Sequence, residues 1–200
     1  MQAVRIRGLL LWPGLLDRAA QEALVEDLRG VARAAPFVQP VTPGGRRMSV
    51  RMTAAGRTGW VTDRKGYRYE PLHPSGVARP PVPPAVLAIW RQLTGLTRDP
   101  DCCLVNYYGA GSRMGLHQDK DEGDFSFPVL SISLGDEAVF RIGGTDRSEG
   151  TESFRLRSGD VLVMGGAARL AWHGVDRVIP GSSALLPQGG RINLTCRVVA

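Results

Sequence analysis

Arg191-Ile192-Asn193-Leu194-Thr195-Cys196-Arg197 alternates polar and apolar side chains without a break. Successive side chains of a β-strand point to opposite faces. Arg191, Asn193, Thr195 and Arg197 therefore share one face, and Ile192, Leu194, Cys196 and Val198 share the other. The run reads as the last strand of the chain, over 191–199. Further short strands are expected upstream at 102–108, 129–134, 138–142, 153–157, 161–164 and 170–175. Gly109-Ala110-Gly111, Gly135-Asp136, Gly143-Gly144, Ser158-Gly159-Asp160 and Gly165-Gly166 separate them as turns. Regular short strands with glycine turns predict a closed or double-sheet β core, most simply a jelly roll.

Two arginines on the inward face of a jelly-roll strand would be buried charges in need of partners. His117-Gln118-Asp119 and His173 supply a reason for them. In an extended segment His117 and Asp119 point at one spot, and a second imidazole from a distant strand completes a facial triad around a metal. That triad leaves coordination positions open, which suits a non-haem Fe(II) oxygenase. Two guanidiniums close behind it point to an anionic cosubstrate with carboxylates to clamp. Taken singly, the pieces have bland readings. His-x-Asp beside Lys120-Asp121-Glu122 could be a solvated surface, and His173 a hydrogen-bonded core residue. The arginine face is the part that packing does not explain.

Length and charge bound the rest. The 200 residues suffice for one core with an appendage, not for two independent domains. Within one domain, 1–98 is expected to hold N-terminal helices and a basic segment, and 99–200 the β core. Leu16, Ala20, Leu24, Leu28 and Val31 form one stripe of a helix over 15–35, which Pro36 stops. A short helix follows Pro83-Pro84, with Val86, Ile89 and Leu93 on its apolar face and Gly95 as its cap. Between the two, 40–84 has little periodicity. It collects Arg46, Arg47, Arg51, Arg57, Arg64, Lys65 and Arg68 against Asp63 and Glu70, interleaved with Trp60, Tyr67 and Tyr69. His73, in the same stretch, is expected at the surface.

The net charge of 25 − 19 = +6 is uneven: 15 − 7 = +8 over residues 1–100 and 10 − 12 = −2 over 101–200. Such asymmetry points to a polyanionic partner, nucleic acid above all. The plain alternative is arginine-rich usage, since 23 of the 25 basic residues are arginine. Cys102, Cys103 and Cys196 are odd in number and lack zinc-site spacing, so they read as reduced, buried thiols of a cytoplasmic protein. No stretch has the apolar length of a signal peptide or a membrane span. No oligomer signal is present, which leaves a monomer as the default.

Several ordered motifs resemble one family. Asn106-Tyr107-Tyr108-Gly109-Ala110-Gly111-Ser112, Leu116-His117-Gln118-Asp119-Lys120-Asp121-Glu122, Ser131-Ile132-Ser133-Leu134-Gly135, Ser158-Gly159-Asp160-Val161 and the 191–197 segment look like the AlkB family of Fe(II)- and 2-oxoglutarate-dependent dioxygenases. The likeness continues upstream through Met48-Ser49-Val50, Gly59-Trp60 and Gly66-Tyr67-Arg68-Tyr69, and is strongest to the bacterial DNA-repair members. It implies a mainly β protein with flanking helices: a double-stranded β-helix (jelly-roll) core preceded by N-terminal helices and a nucleotide-recognition lid. It also implies that His117, Asp119 and His173 hold Fe(II). Arg191 and Arg197 would pair with the carboxylates of 2-oxoglutarate, with Asn106, Tyr108 and Asn193 completing that pocket and O2 as the second cosubstrate. Trp60, Tyr67 and Tyr69 would surround the damaged nucleotide, Asp121 would face its base, and Arg147 would stand at the rim. Met164 and Ala171 depart from the family, which has bulky aromatics there, and this leaves the lesion preference open.

The implied activity is oxidative demethylation of N-alkylated bases such as 1-methyladenine and 3-methylcytosine, in DNA and as an extension in RNA. Hydroxylation of the alkyl group releases formaldehyde, with succinate and CO2 from the cosubstrate. A base inside a duplex cannot enter such a pocket, so it is flipped out or presented on a single strand. Two competing classes stay open at this level. One is a non-catalytic, cupin-like jelly-roll module for a metal or an organic acid. The other is a 2-oxoglutarate oxygenase with a non-nucleic-acid substrate.

Overall fold

A computed structural model describes residues 2–199. The chain enters through β1 (Val4–Ile6) and β2 (Leu9–Trp12) and then forms α1 (Arg18–Ala34). Asp17 caps α1 by accepting the Ala20 N–H at 2.8 Å. β3 (Arg51–Gly56) leads into a hairpin of β4 (Gly59–Asp63) and β5 (Gly66–Glu70), followed by α2 (Pro84–Thr94). Gly95 ends α2 in the left-handed conformation, as the sequence predicts. The second half supplies β6 (Cys102–Tyr108), β7 (Met114–His117), β8 (Val129–Gly135) and β9 (Glu137–Ile142). It continues with β10 (Glu152–Leu156), β11 (Val161–Met164), β12 (His173–Ile179) and β13 (Arg191–Arg197).

Two antiparallel sheets make the core. One has the order β1-β2-β11-β8-β13-β6-β3 and the other β10-β9-β12-β7, with β4-β5 standing apart. β13 lies between β6 and β8, so both of its edges are hydrogen-bonded. Ile192, Leu194 and Cys196 pack with Leu24, Leu28, Val86 and Trp90 of the two helices. The opposite face of the large sheet meets the small one through Leu104, Leu162, Phe140, Leu156 and Val175. This is a double-stranded β-helix with helices on one side. Gly135 shows how tight its corners are: at φ 83° it turns β8 into β9, and a Cβ there would lie 2.5 Å from the Gly190 carbonyl. Among the described residues no helix is long and apolar enough to cross a membrane, and the three cysteines are buried free thiols.

The structure departs from sequence expectation in several places, the β4-β5 hairpin within 40–84 among them. β1, β2 and β3 come from the part before residue 99 yet belong to the large sheet. β3 ends in Ala54-Ala55-Gly56, poor strand formers, and pairing along β6 from Arg51 to Gly56 overrides that local preference. The strand expected at 170–175 starts later, at His173. Residues before it are held in turns, with Arg169 N–H bonded to the Gly166 carbonyl and Ala171 N–H to that of Ala168. It also runs further, to Ile179, across a register shift between Val175 and Arg177 that breaks the alternation. β7 went unrecognised because Met114-Gly115-Leu116-His117 is short and contains a glycine. Finally, His73 is not at the surface: it is 3% exposed, its ring bonded to the Pro36 carbonyl at 2.8 Å and the Ser75 hydroxyl at 2.7 Å. A two-ended imidazole can satisfy two buried polar groups at once.

Candidate metal centre and pocket

β7 and β12 pair so that His117 sits opposite His173, with ring centroids 4.5 Å apart. Each ring has its Nδ1 2.9 Å from a carbonyl, of Gly115 and of Ala171 respectively. A carbonyl only accepts, so Nδ1 carries the proton and the Nε2 lone pair is free for a metal. Asp119 lies two residues beyond His117. Its Oδ1 is 3.8 Å from His117 Nε2, and its Oδ2 is 3.8 Å from His173 Nε2. The three ligand atoms lie within 4.8 Å of one another. Gln118 stitches the two segments together by donating to the Leu170 carbonyl at 2.6 Å.

The electrostatics suit a divalent cation. Burial alone would raise the Asp119 carboxyl, but the Arg197 guanidinium beside it holds it well below the usual carboxylate range. Burial, with His117 nearby, pushes His173 down to about 4, so its ring is neutral at physiological pH. Asp119 Oδ2 is buried without a hydrogen-bond partner among the described residues. A buried, unpartnered carboxylate oxygen facing two imidazole lone pairs is an unfavourable arrangement unless a cation completes it. Two histidines and one carboxylate on one side, with the rest open, fit Fe(II).

Behind the triad lies the polar face of β13. Its pairing with β6 places Arg191 opposite Tyr108 and Asn193 opposite Asn106. Arg191 is fully buried; it donates to the Ser133 hydroxyl at 2.6 Å and has no ion-pair partner among the described residues. Burial brings its pKa down to about 10. Arg191 Nε and Asn106 Oδ1 are also without hydrogen-bond partners. Asn193 donates to Ser131 at 2.6 Å and accepts from Thr195 at 3.0 Å. A buried guanidinium with spare donors and no carboxylate fits an anionic ligand. Arg197, the other arginine, donates to Asp119 Oδ1 at 2.7 Å and to the Tyr69 hydroxyl at 3.3 Å.

The β4-β5 hairpin covers this face. Trp60 stacks on Tyr67 at 5.5 Å, and its indole N–H donates to Asp121 at 2.7 Å. Tyr69, the cross-strand neighbour of Trp60, turns its hydroxyl to Glu122 instead. A cavity of about 310 Å³ takes in the triad, Arg191, Arg197, Asn106, Tyr108, Asn193, Trp60, Tyr67 and Asp121. Tyr69 and Arg147 do not line it: Arg147 stacks at 5.1 Å on Trp172, which does. Of the two departures, Met164 forms part of the wall, whereas Ala171 is buried without lining the cavity. Met48, Met52 and Met114 join Met164 there, giving unbranched, adaptable surface. Sequence reasoning missed Glu122 and Arg169, both buried beside the triad. Arg169 carries only the local signal of a charge in an apolar, turn-forming run, and Glu122 is one charge among Asp119, Lys120 and Asp121.

Comparison with known proteins agrees with this geometry. The sequence family described as "2OG-Fe(II) oxygenase superfamily" matches residues 8–197. The chain is 58% identical to the alpha-ketoglutarate-dependent dioxygenase AlkB homolog of Caulobacter vibrioides, over 96% of this chain and 88% of that protein. It is 40% identical to alpha-ketoglutarate-dependent dioxygenase AlkB of Escherichia coli, over 89% and 84%. The solved structure of OsALKBH1 superposes with a TM-score of 0.79 at 31% identity, covering 98% of this chain and 99% of that one. With the fold, the triad and these relatives in agreement, the chain belongs to the 2OG-Fe(II) oxygenase superfamily and, within it, to the AlkB family of Fe(II)- and 2-oxoglutarate-dependent dioxygenases.

Proposed function

We propose that this dioxygenase demethylates N-alkylated bases in DNA, and in RNA where the same base is offered on a single strand. The observation that carries this reading is the Trp60–Tyr67 stack, with Asp121 beside it, facing the same cavity as His117, Asp119 and His173. Aromatic faces accept any base by stacking, whereas a small-molecule oxygenase has no need of them. Bound iron with 2-oxoglutarate and O2 supplies the oxidising power. The chain supplies position. His117, Asp119 and His173 would hold the metal, and Arg191 and Arg197 the cosubstrate carboxylates. Asn106, Tyr108 and Asn193 would orient that cosubstrate, and the apolar wall of Met114, Leu162 and Met164 excludes water from the alkyl group.

A methyl on N1 of adenine or N3 of cytosine makes the base cationic. Asp121 is then its electrostatic partner, in exchange for the Trp60 N–H it accepts here. The exposed Arg46, Arg47 and Arg64 would track phosphates, whereas Arg51 is engaged over the Tyr107 ring on the other face of the large sheet; Tyr69 and Arg147 would support the rim through Glu122 and Trp172. Reduced buried thiols are consistent with a cytoplasmic location.

The test is anaerobic loading with Fe(II) and 2-oxoglutarate, then oxygen and an oligonucleotide bearing 3-methylcytosine, read by mass. Loss of one methyl with matching succinate and formaldehyde is expected. Succinate without demethylation would move the search to another substrate.

Trp60→Ala separates lid from chemistry. Losing one stacking plane costs about 1–3 kcal/mol per base, so the KM for oligonucleotide should rise roughly 5- to 150-fold. Uncoupled decay of 2-oxoglutarate should stay within about twofold, and an equal fall in both activities would mean that Trp60 does not serve the base. Raising salt should weaken oligonucleotide binding steeply, and a flat response would remove the phosphate-tracking role of the arginines.

A further inference from the structure

Four charged side chains are buried together behind the metal face: Asp119, Arg197, Glu122 and Arg169, each 7% exposed or less. Neither Glu122 nor Arg169 lines the cavity. Arg169 follows the 3-10 turn Gly166–Ala168 and stands four residues before His173. Its guanidinium divides among three acceptors on a single loop. Nη1 donates to the Asp119 carbonyl at 2.6 Å, Nε to the Phe127 carbonyl at 2.8 Å, and Nη2 to Glu122 Oε2 at 3.0 Å. One rigid cation thus pins the loop that carries both Asp119 and Asp121, and joins it to the segment that carries His173.

Glu122 passes the connection on. Its Oε1 accepts from the Tyr69 hydroxyl and lies 3.4 Å from Arg197 Nε. Arg197 donates to Asp119 Oδ1 at 2.7 Å, and the Asp119 carbonyl returns to Arg169. The result is a closed ring of alternating charge with no net charge. Taking four charges out of water costs several kcal/mol per ion, and apolar packing of equal volume would hold a fold as well or better. Stability alone therefore does not account for the ring. Its distinctive consequence is direction: Asp119 turns Oδ1 to Arg197 and leaves Oδ2 toward the imidazoles, while Arg197 is gripped from two sides.

We propose that Arg169 and Glu122 are positioning residues: through Asp119 and Arg197 they hold the metal carboxylate and the cosubstrate guanidinium at a fixed mutual angle. The inference rests on the roles proposed above for Asp119 and Arg197. Partners behind a metal ligand typically govern 10- to 100-fold of metal affinity or activity.

The test uses Arg169→Lys and Glu122→Gln, with Mn2+ as a redox-silent probe of the metal-free protein in calorimetry. A lysine keeps the charge but presents one ammonium where three acceptors diverge, so it should not rescue. Arg169→Lys is expected to weaken Mn2+ binding roughly 10- to 100-fold. Glu122→Gln is isosteric: its one carbonyl oxygen can still accept from Arg169 while its NH2 turns to the Tyr69 hydroxyl, and the charge that draws Arg197 away from Asp119 is removed. It should weaken Mn2+ roughly tenfold and raise the KM for 2-oxoglutarate by a similar factor, with the oligonucleotide KM within about threefold. A lower melting temperature with Mn2+ affinity and 2-oxoglutarate KM unchanged would overturn the proposal and leave a structural ring. If Arg169→Lys fails to fold, Glu122→Gln decides by itself. Mn2+ binding involves no nucleic acid, so failure of demethylation on every oligonucleotide would overturn the substrate reading and leave this test intact.

Discussion

Arg191→Met should make the ligand-free protein as stable as the parent or more so, while abolishing the stabilisation that 2-oxoglutarate confers. Arg191 is fully buried; it donates to the Ser133 hydroxyl and the Asp136 and Leu156 carbonyls and makes no ion pair among the described residues, the Asp160 charge acting on it only at longer range. Burial lowers its pKa below the usual guanidinium range, to about 10. The folded state thus disfavours the charged form, by a few kcal/mol at about 1.4 kcal/mol per pKa unit. That penalty is complete at any pH below about 10, and stability recovers only as pH rises from about 10 toward the ordinary guanidinium value, where the unfolded chain binds more protons. Methionine removes the charge and keeps much of the volume, so the penalty disappears. A ligand carboxylate converts the same buried charge into a paired one, and losing a partner from such a pair costs about 2–5 kcal/mol. Affinity for 2-oxoglutarate should therefore fall on the order of 30- to 5,000-fold. Thermal melts with and without 2-oxoglutarate, in Mn2+-loaded protein, read both halves. At a hundred times Kd the parent gains about 2.7 kcal/mol from ligand. A shift of equal size in Arg191→Met would show that the cosubstrate does not sit on this arginine.

Asp119→Ala is expected to remove demethylation altogether, by at least about a thousandfold. Asp119 supplies the one negative charge among the three metal donors, and about 4 kcal/mol of lost interaction corresponds to that factor. The same change strips Arg197 of its shortest contact, the 2.7 Å bond to Oδ1, so a drop in stability is also expected. Asp119→Asn distinguishes the two effects. It keeps an oxygen for Arg197, and so should fold close to normally, yet it lacks the charge for the metal. Calorimetry with Mn2+ reports the metal directly, and succinate formation reports turnover. A cupin-like module that merely binds an organic acid would keep its function in both variants. Retained succinate formation in Asp119→Asn would remove Asp119 from the metal shell.

Much of the candidate site was legible because its signals are local. The i, i+2 rule put His117 with Asp119 and sorted Arg191, Asn193, Thr195 and Arg197 onto one face, and the cavity is lined by these residues. Pro36 and Gly95 mark helix ends by backbone restrictions that any chain obeys. His73 misled because a histidine in a basic, irregular stretch carries no mark of the Pro36 carbonyl that it meets across 37 positions.

The sequence by itself determined the β class, the two faces of the last strand, both helices and the pairing of His117 with Asp119 in the candidate centre. These follow from period, capping and spacing, which are properties of neighbours along the chain. Tertiary structure alone decided that β1, β2 and β3 complete the large sheet and that His117 lies opposite His173. It also closed the ring of Arg169, Glu122, Arg197 and Asp119. Pairing and charge neutralisation depend on which distant segment arrives at each position. A lone arginine before a turn looks the same whether it ends in water or against a buried carboxylate, and only the fold brings Glu122 within 3.0 Å of Arg169.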